Sequence, residues 1–475
     1  MFGIALITVN ILFRLVRNLN TFAVSCVYDG SARQRGGFDC AQAEQSHSSA
    51  MSQPIRCART AITGTPMRIK SALSFALGLT ALCAPAGAQD TATLADAIVG
   101  GHAILNLRPR YEYADQAGKD LGQAATLRTL AGWRTGAWYG LSGTVELIDV
   151  GRLNDDYNDG LNGKTRYPVI ADPDNTDVNQ LYLDYAGLPD TQVRAGRQSI
   201  KLDNVRFIGN AEFRQVMQVF NGVTVENNSL RDTRLYAGYL GRVKTVNTRQ
   251  HDTDTVLLNA RYAISPNDAL VGYGYFQDQK DAIGAAAFVG GAPSSTSNQS
   301  VGIRSDGAHP LNTDWKILYT LEYAKQADYS GGDSRIDATY QRLGAGAQWS
   351  AVYLRADQEV LGSNQGRYAF QFPLATNHVF QGWADQFLVT PPQGIRDRYL
   401  SAGAKIERAQ LLAEYHRFGA DFGSIDFGRE FDFGVSYPLQ PKLVGKVEYA
   451  DYRAGDAASG KADLTRIWVT LIYNY

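Results

Sequence analysis

Cysteine is confined to the first 83 residues of this 475-residue chain, at Cys26, Cys40, Cys57 and Cys83. From residue 89 onward there is none, which excludes a disulfide framework or a thiolate metal site in that part. It also contains no run of about 18 consecutive apolar residues, so no transmembrane helix is expected. Histidine is scarce there (His102, His251, His309, His378, His416), and neither a Gly-x-Ser-x-Gly elbow nor a His-Glu-x-x-His pair occurs. Residues 1–88 hold eight of the 46 Lys and Arg and three of the 47 Asp and Glu, which leaves residues 89–475 with a net charge of about −6. That balance gives no support to nucleic-acid binding.

Towards the front, Met67-Arg68-Ile69-Lys70 is basic, Ala72 to Leu82 is apolar, and Ala86-Gly87-Ala88 precedes Gln89. A basic start, a short apolar run and a small-x-small site form the pattern of a cleaved secretory leader. Residues 67–88 are therefore expected to be a signal peptide cut after Ala88. Leu82 stands before Cys83 where lipoprotein processing calls for a small residue. A leader works from the N-terminus, so residues 1–66 are expected to be a mis-assigned upstream extension, with Met67 the true start. The alternative makes Phe2 to Phe13 a separate apolar anchor.

What is present from Ala103 onward is a period of two. In 103–113, Leu105, Leu107, Tyr111 and Tyr113 share one face, and Asn106, Arg108, Arg110 and Glu112 share the other. Such a polar row cannot enter the dry core of a sandwich without partners. It can line a wet lumen while the apolar face meets lipid. The same split recurs at 138–148, 315–325, 350–360 and 428–437. The last segment, Thr465 to Tyr475, alternates to the final residue and, at about 3.3 Å per residue, is long enough to cross a bilayer at a tilt. Short links such as Gly136-Ala137 and Leu188-Pro189-Asp190 alternate with long ones at 149–177, 200–216, 279–296 and 361–396. The pattern predicts an all-β fold, a transmembrane antiparallel β-barrel of about 18 strands spanning 103–475. Short turns would face the periplasm, long loops the outside, and the wall the outer-membrane lipids. Residues 89–102 would form a short periplasmic lead-in.

Several stretches resemble the outer-membrane alginate-export porin family. They are Leu107-Arg108-Pro109-Arg110-Tyr111-Glu112-Tyr113, Thr126-Leu127-Arg128-Thr129, Gly196-Arg197-Gln198, Leu202-Asp203-Asn204 and Arg206-Phe207-Ile208-Gly209-Asn210. Pro373-Leu374-Ala375-Thr376-Asn377-His378 and Phe380-Gln381-Gly382-Trp383-Ala384-Asp385, with Thr390-Pro391, carry the likeness furthest. It runs along essentially the whole chain after the leader. It implies an eighteen-stranded monomeric barrel passing an anionic polysaccharide or another small acidic solute. The chain ends on Tyr475 where many such barrels end on Phe, a change the barrel assembly machinery is expected to tolerate.

Basic residues modestly outnumber acidic ones on the expected lumen face. Arg108, Arg110, Arg128, Arg304, Arg342, Arg355 and Lys446 stand there, with Arg242 among the others. Together with Arg197 and with Arg206 and Arg214 of loop 200–216, those seven are the candidate substrate-binding residues. A guanidinium fork matches carboxylates, and a ring of fixed cations sets anion preference in a pore. The same arginines can instead form a ladder with acids, Arg110 with Glu112 and Arg355 with Asp357, that stiffens the wall and selects nothing. Loop 200–216 is expected to fold inward and narrow the pore, or else to stay outside. The aromatic loop 361–396 (Tyr368, Phe370, Phe372, Phe380, Trp383, Phe387) would cap the pore, stack on sugar rings, or pack on itself. Asp172 to Asp177 lacks the glycine and terminal glutamate of a helix-loop-helix calcium site and reads as a solvated acidic loop. His416, near Glu414, reads as a wall residue rather than a general base. The expected function is an anion-passing porin without cofactor or metal. A general diffusion porin is the alternative, and an enzymatic or structural barrel a remote one.

Overall fold

Alternation builds strands wherever one face can be apolar and the other polar, and here it does so along the chain, broken by a few bulges. The structure, a computed structural model, describes residues 93–280 and 296–475. The expected leader at 67–88, the upstream segment and most of the link at 279–296 lie outside the described residues. The strands are β1 (His102–Gln116), β2 (Gly122–Arg134), β3 (Leu141–Arg152), β4 (Asn175–Leu188), β5 (Thr191–Gln198), β6 (Val219–Asn227), β7 (Thr233–Lys244), β8 (Gln250–Ser265) and β9 (Asp268–Gln279). They continue as β10 (Asn298–Pro310), β11 (Trp315–Asp328), β12 (Asp337–Trp349), β13 (Val352–Leu361), β14 (Ile395–Ile406), β15 (Ala409–Gly419), β16 (Asp426–Gln440), β17 (Leu443–Ala454) and β18 (Leu464–Asn474).

Each strand pairs antiparallel with its neighbours in sequence, and β18 returns to pair with β1, closing an 18-stranded barrel. At this seam Leu107 faces Tyr473, Glu112 faces Trp468 and Gln116 faces Leu464. The final N–H, of Tyr475, donates to the Leu105 carbonyl at 3.0 Å, so pairing reaches the last residue.

The surface is inverted relative to a water-soluble protein. Leu183, Ile303, Leu321, Leu343, Leu354 and Leu400 are exposed around the outside, while Glu112, Arg128, Glu322, Asp397 and Asp432 are buried inside. Burying such a belt in lipid removes apolar area from water at about 25 cal/mol per Å². Trp315 and Trp349 face each other across β11 and β12 at one end of the belt, where aromatic rings suit the membrane interface.

The connections that follow the odd-numbered strands share one end, and all those longer than six residues are among them. They include L1 (117–121), L2 (153–174), L3 (199–218), L4 (245–249), L6 (329–336), L7 (362–394), L8 (420–425) and L9 (455–463), with L5 (280–297) only partly described. Turns of two to six residues make the other end, which also holds the start of β1 and the end of β18. A short helix, α1 (Leu94–Val99), precedes β1 there, with the Thr93 hydroxyl accepting from the Asp96 N–H at 3.1 Å as its cap. One expected lumen cation departs from its strand's alternation. A register shift between Leu240 and Arg242 turns Arg242 outward, where it bonds Asp252.

The seam is testable because residues 89–475 contain no cysteine. Tyr113→Cys with Ile467→Cys, which face each other in register, should form a disulfide under mild oxidation of the folded protein. Tyr113→Cys with Leu471→Cys should not, because the bond tolerates Cα separations only up to about 7 Å. Mobility in denaturing gels reads both.

Candidate functional site

A buried guanidinium has five N–H donors to satisfy, and leaving them unpaired costs several kcal/mol. The lumen face of β1 and β2 presents three such groups, Arg108, Arg110 and Arg128, with Arg108 and Arg128 directly opposite each other. L3 supplies their partners by folding into the barrel. Arg108 donates from Nε to Gln215 Oε1 at 2.8 Å, from Nη1 to the Glu212 carbonyl at 2.7 Å, and from Nη2 to the Arg214 carbonyl. Gln215 in turn donates to Thr126 at 2.8 Å, and its N–H meets Asp172 of L2 at 2.7 Å. Arg110 lies 3.8 Å from Asp172 and over the Phe213 ring at 4.4 Å. Arg128 donates to Asn106 at 2.9 Å.

Glu112 does not pair with Arg110, as adjacency in sequence suggested. It is fully buried between Arg214 of L3, at 3.0 Å, and Arg466 of β18, at 2.5 Å. One carboxylate thus ties the inserted loop to both strands of the seam. Arg214 also bonds Asp385 of L7 at 2.6 Å. Burial raises the cost of charge on Asp385, but His378 and Arg214 beside it outweigh that and hold its carboxyl well below the usual range. Glu212 is likewise held at about 2, against its burial, because Lys201 and the wall arginines surround it.

L7 enters beside L3 and the two are hydrogen-bonded as a unit. Gly209 N–H donates to the Leu374 carbonyl at 2.9 Å, Thr376 N–H to the Val205 carbonyl at 3.0 Å, and Gln218 spans both loops. Arg206 is the knot. Its Nε lies 2.8 Å from Glu359 of β13, Nη2 donates to Gln381 at 2.8 Å, and its guanidinium carbon rests 3.7 Å over the Phe372 ring. Phe207, Phe370 and Phe372 pack against wall residues Tyr273, Tyr275 and Tyr340, so the lumen has an apolar core of its own. L7 then presses on β16, where Ala384 N–H donates to Glu430 at 2.6 Å. Gly382 fits only without a side chain, since a Cβ would collide with that carboxylate. On the wall behind, His416 Nδ1 lies 3.0 Å from Asp397.

Arg304 pairs with Asp306 at 2.8 Å and lies 3.5 Å from Asp203 of L3. Arg355 grips Asp357 through two bonds of 2.7 Å, and Arg342 donates to Tyr399 at 2.8 Å. Lys446 is half-buried on β17, with no ion pair among the described residues. Arg197 faces Leu181 in register, on the outward parity near the loop end, and bonds Asn221 and the Val178 carbonyl. Gln215, which ties Arg108 to Thr126, is not marked by the sequence, because an amide in an irregular loop carries no periodic signal. At the loop end a cavity of about 240 Å³ remains, lined by Phe213, Arg214, Phe372, His378, Asp385 and Arg466 with parts of L2 and L4. Among the described residues no cluster of His, Cys, Asp and Glu could hold a metal ion.

A sequence model for the family described as alginate export matches residues 104–358. The chain belongs to the alginate export family. It is an outer-membrane porin: the family and the closed barrel place it in that membrane, with turns to the periplasm and loops outside. Its fold is similar to Pseudomonas aeruginosa OpdL (16% identity, 79% of this chain and 99% of that one, TM-score 0.59). OccK9 (OpdG) of the same organism matches at 16% identity over 80% and 99% of the two chains, TM-score 0.61. OpdK from that organism, solved with vanillate, matches at 13% over 78% and 98%, TM-score 0.60. No curated protein matches the chain.

Arg206→Ala should leave the barrel folded but free the two loops, because removing one partner of a buried ion pair costs about 3–5 kcal/mol. The expected result is a larger single-channel conductance in a planar bilayer and faster proteolysis within 199–218 and 362–394.

Proposed function

We propose that the porin passes an anionic solute, an acidic oligosaccharide or polysaccharide of the alginate type, through a lumen lined by cations. The observation that carries this is an asymmetry within the ion pairs of the wall. Arg134 has 40% of its side chain exposed and its partner Asp184 only 4%. Arg194 and Asp184 stand at 22% and 4%, Arg234 and Asp203 at 26% and 6%, and Arg355 and Asp357 at 19% and 0%. The pairs are near neutral in sum, yet the side chain more open to water in each is the arginine. A ladder and a cationic lining are thus the same structure seen from two sides. Asp306, more exposed than its partner Arg304, and Asp177, more exposed than its partners Lys244 and Arg197, run the other way.

A passing carboxylate would meet guanidinium N–H groups at several heights, and bidentate pairing suits it at each. The exchange costs little, because each arginine keeps its buried acid while it donates to the solute. At the mouth, Arg214 and Arg466 stand beside Phe213 and Phe372, which offers charge and an apolar face together. That cavity of about 240 Å³ takes one ring at a time. It supports a second reading, a channel for small ring-bearing carboxylates; the fold relative OpdK was solved with vanillate.

In a potassium chloride gradient across a planar bilayer, the reversal potential should show anion preference. Replacing Arg134, Arg194 and Arg355 together by Gln should lower the anion-to-cation permeability ratio several-fold, with smaller effects for each alone. Uronate oligomers should block chloride current on the polysaccharide reading, and benzoate-sized acids alone on the second. Cation preference in the unaltered protein contradicts both.

A further inference from the structure

The helix α1 lies outside the barrel wall, at the periplasmic end of the lipid belt. Trp133 fixes this position. Its register partner on β3 is Val145, which is exposed on the outer face, so Trp133 points outward as well. From there its indole N–H donates to the Ile98 carbonyl at 2.8 Å, and the Gly136 N–H donates to the Ala97 carbonyl at 2.8 Å. The helix is therefore held against the outside of β2 and the turn that follows it, not under the lumen.

Its own pattern leaves one face without a partner among the described residues. At about 100° per residue, Leu94, Ala95, Ile98 and Val99 fall within one arc of about 140°, with Asp96 and Ala97 outside it. Ala97 is buried against the barrel, while Leu94, Ile98 and Val99 are 51%, 49% and 79% exposed. Asp96 bonds the Thr93 hydroxyl at 2.7 Å, which keeps the charge at the helix start and away from the apolar arc. Next along the rim stand Tyr139, Leu141 and Leu188, also exposed and continuous with the belt that lipid covers.

We propose that α1 is an interfacial anchor, with Leu94, Ile98 and Val99 inserted into the inner leaflet of the outer membrane. The occupant is phospholipid, because the apolar arc continues the lipid-facing surface and carries no charge of its own. A helix with one apolar face and a polar opposite edge lies in the plane of such an interface, and an outward Trp at that level marks it. The anchor would fix the height of the periplasmic rim and the direction in which the preceding chain leaves it.

The test uses the cysteine-free chain from residue 89, reconstituted in phosphatidylethanolamine–phosphatidylglycerol vesicles at high dilution. Spin labels are placed singly at Asp96→Cys, Ile98→Cys and Val99→Cys, with Leu354→Cys on the belt as reference. The side chains at 98 and 99 point away from the protein, so labelling leaves the fold intact, and heat-modifiable gel mobility checks this for each variant. The expected result is stronger relaxation by oxygen than by a nickel chelate at 98 and 99, as at 354, and the reverse at 96. Equal nickel access at 96, 98 and 99 overturns the proposal. It would mean that the face is bare or reserved for a periplasmic partner or a second copy.

Discussion

In hydrocarbon no backbone N–H or C=O can go unpaired, and this single constraint organises the molecule. It requires a sheet without edges, so the last strand must find the first, and hydrogen bonding continues through Tyr475 to Leu105. It also fixes the sign of the surface. Once lipid takes the apolar faces, the polar faces of eighteen strands are turned inward together, and their charges need partners.

Those partners come from two sources. Some are acids on neighbouring strands, as with Arg342 and Asp357. The rest arrive on the loops: L2 brings Asp172 to Arg110, and L3 and L7 enter the lumen and meet Arg108, Glu112, Glu359 and Glu430. Replacing one such group leaves another charged and buried, which is why the loops are held by a network rather than by any one bond. Where the loops do not reach, as at Arg134, Arg194 and Arg355, the arginines pair with acids on the strands themselves. The inserted loops and the paired charges of the wall follow from the same need to satisfy charge.

Much of this was legible in the sequence, and the reason is periodicity. Strand faces repeat every two residues, so alternation alone assigns Leu321 and Glu322 to opposite sides and marks 465–475 as a closing strand. Bulges break that reading, as at Arg242, because an added residue flips the parity beyond it. Loop paths were not legible in the same way. Composition marked L7 as aromatic and L3 as charged, but whether Phe370 and Phe372 would meet sugar, water or the wall depended on Tyr340 and on Phe207 of L3, far away in sequence. The pairing of Glu112 with Arg214 and Arg466, rather than with Arg110, spans more than a hundred residues to the first and more than three hundred to the second. Local pattern carries no trace of such contacts.

The central claim is that L3 and L7 form one buried unit locked in the lumen, and amide hydrogen exchange on the protein in a membrane tests it most directly. The amides of Gly209, Thr376 and Ala384, bonded to Leu374, Val205 and Glu430, should exchange as slowly as those of strands such as β12. Exchange of these three at the rate of the exposed L8 tip at 422–424 would contradict the account, since the loops would then lie open to water rather than fill the pore.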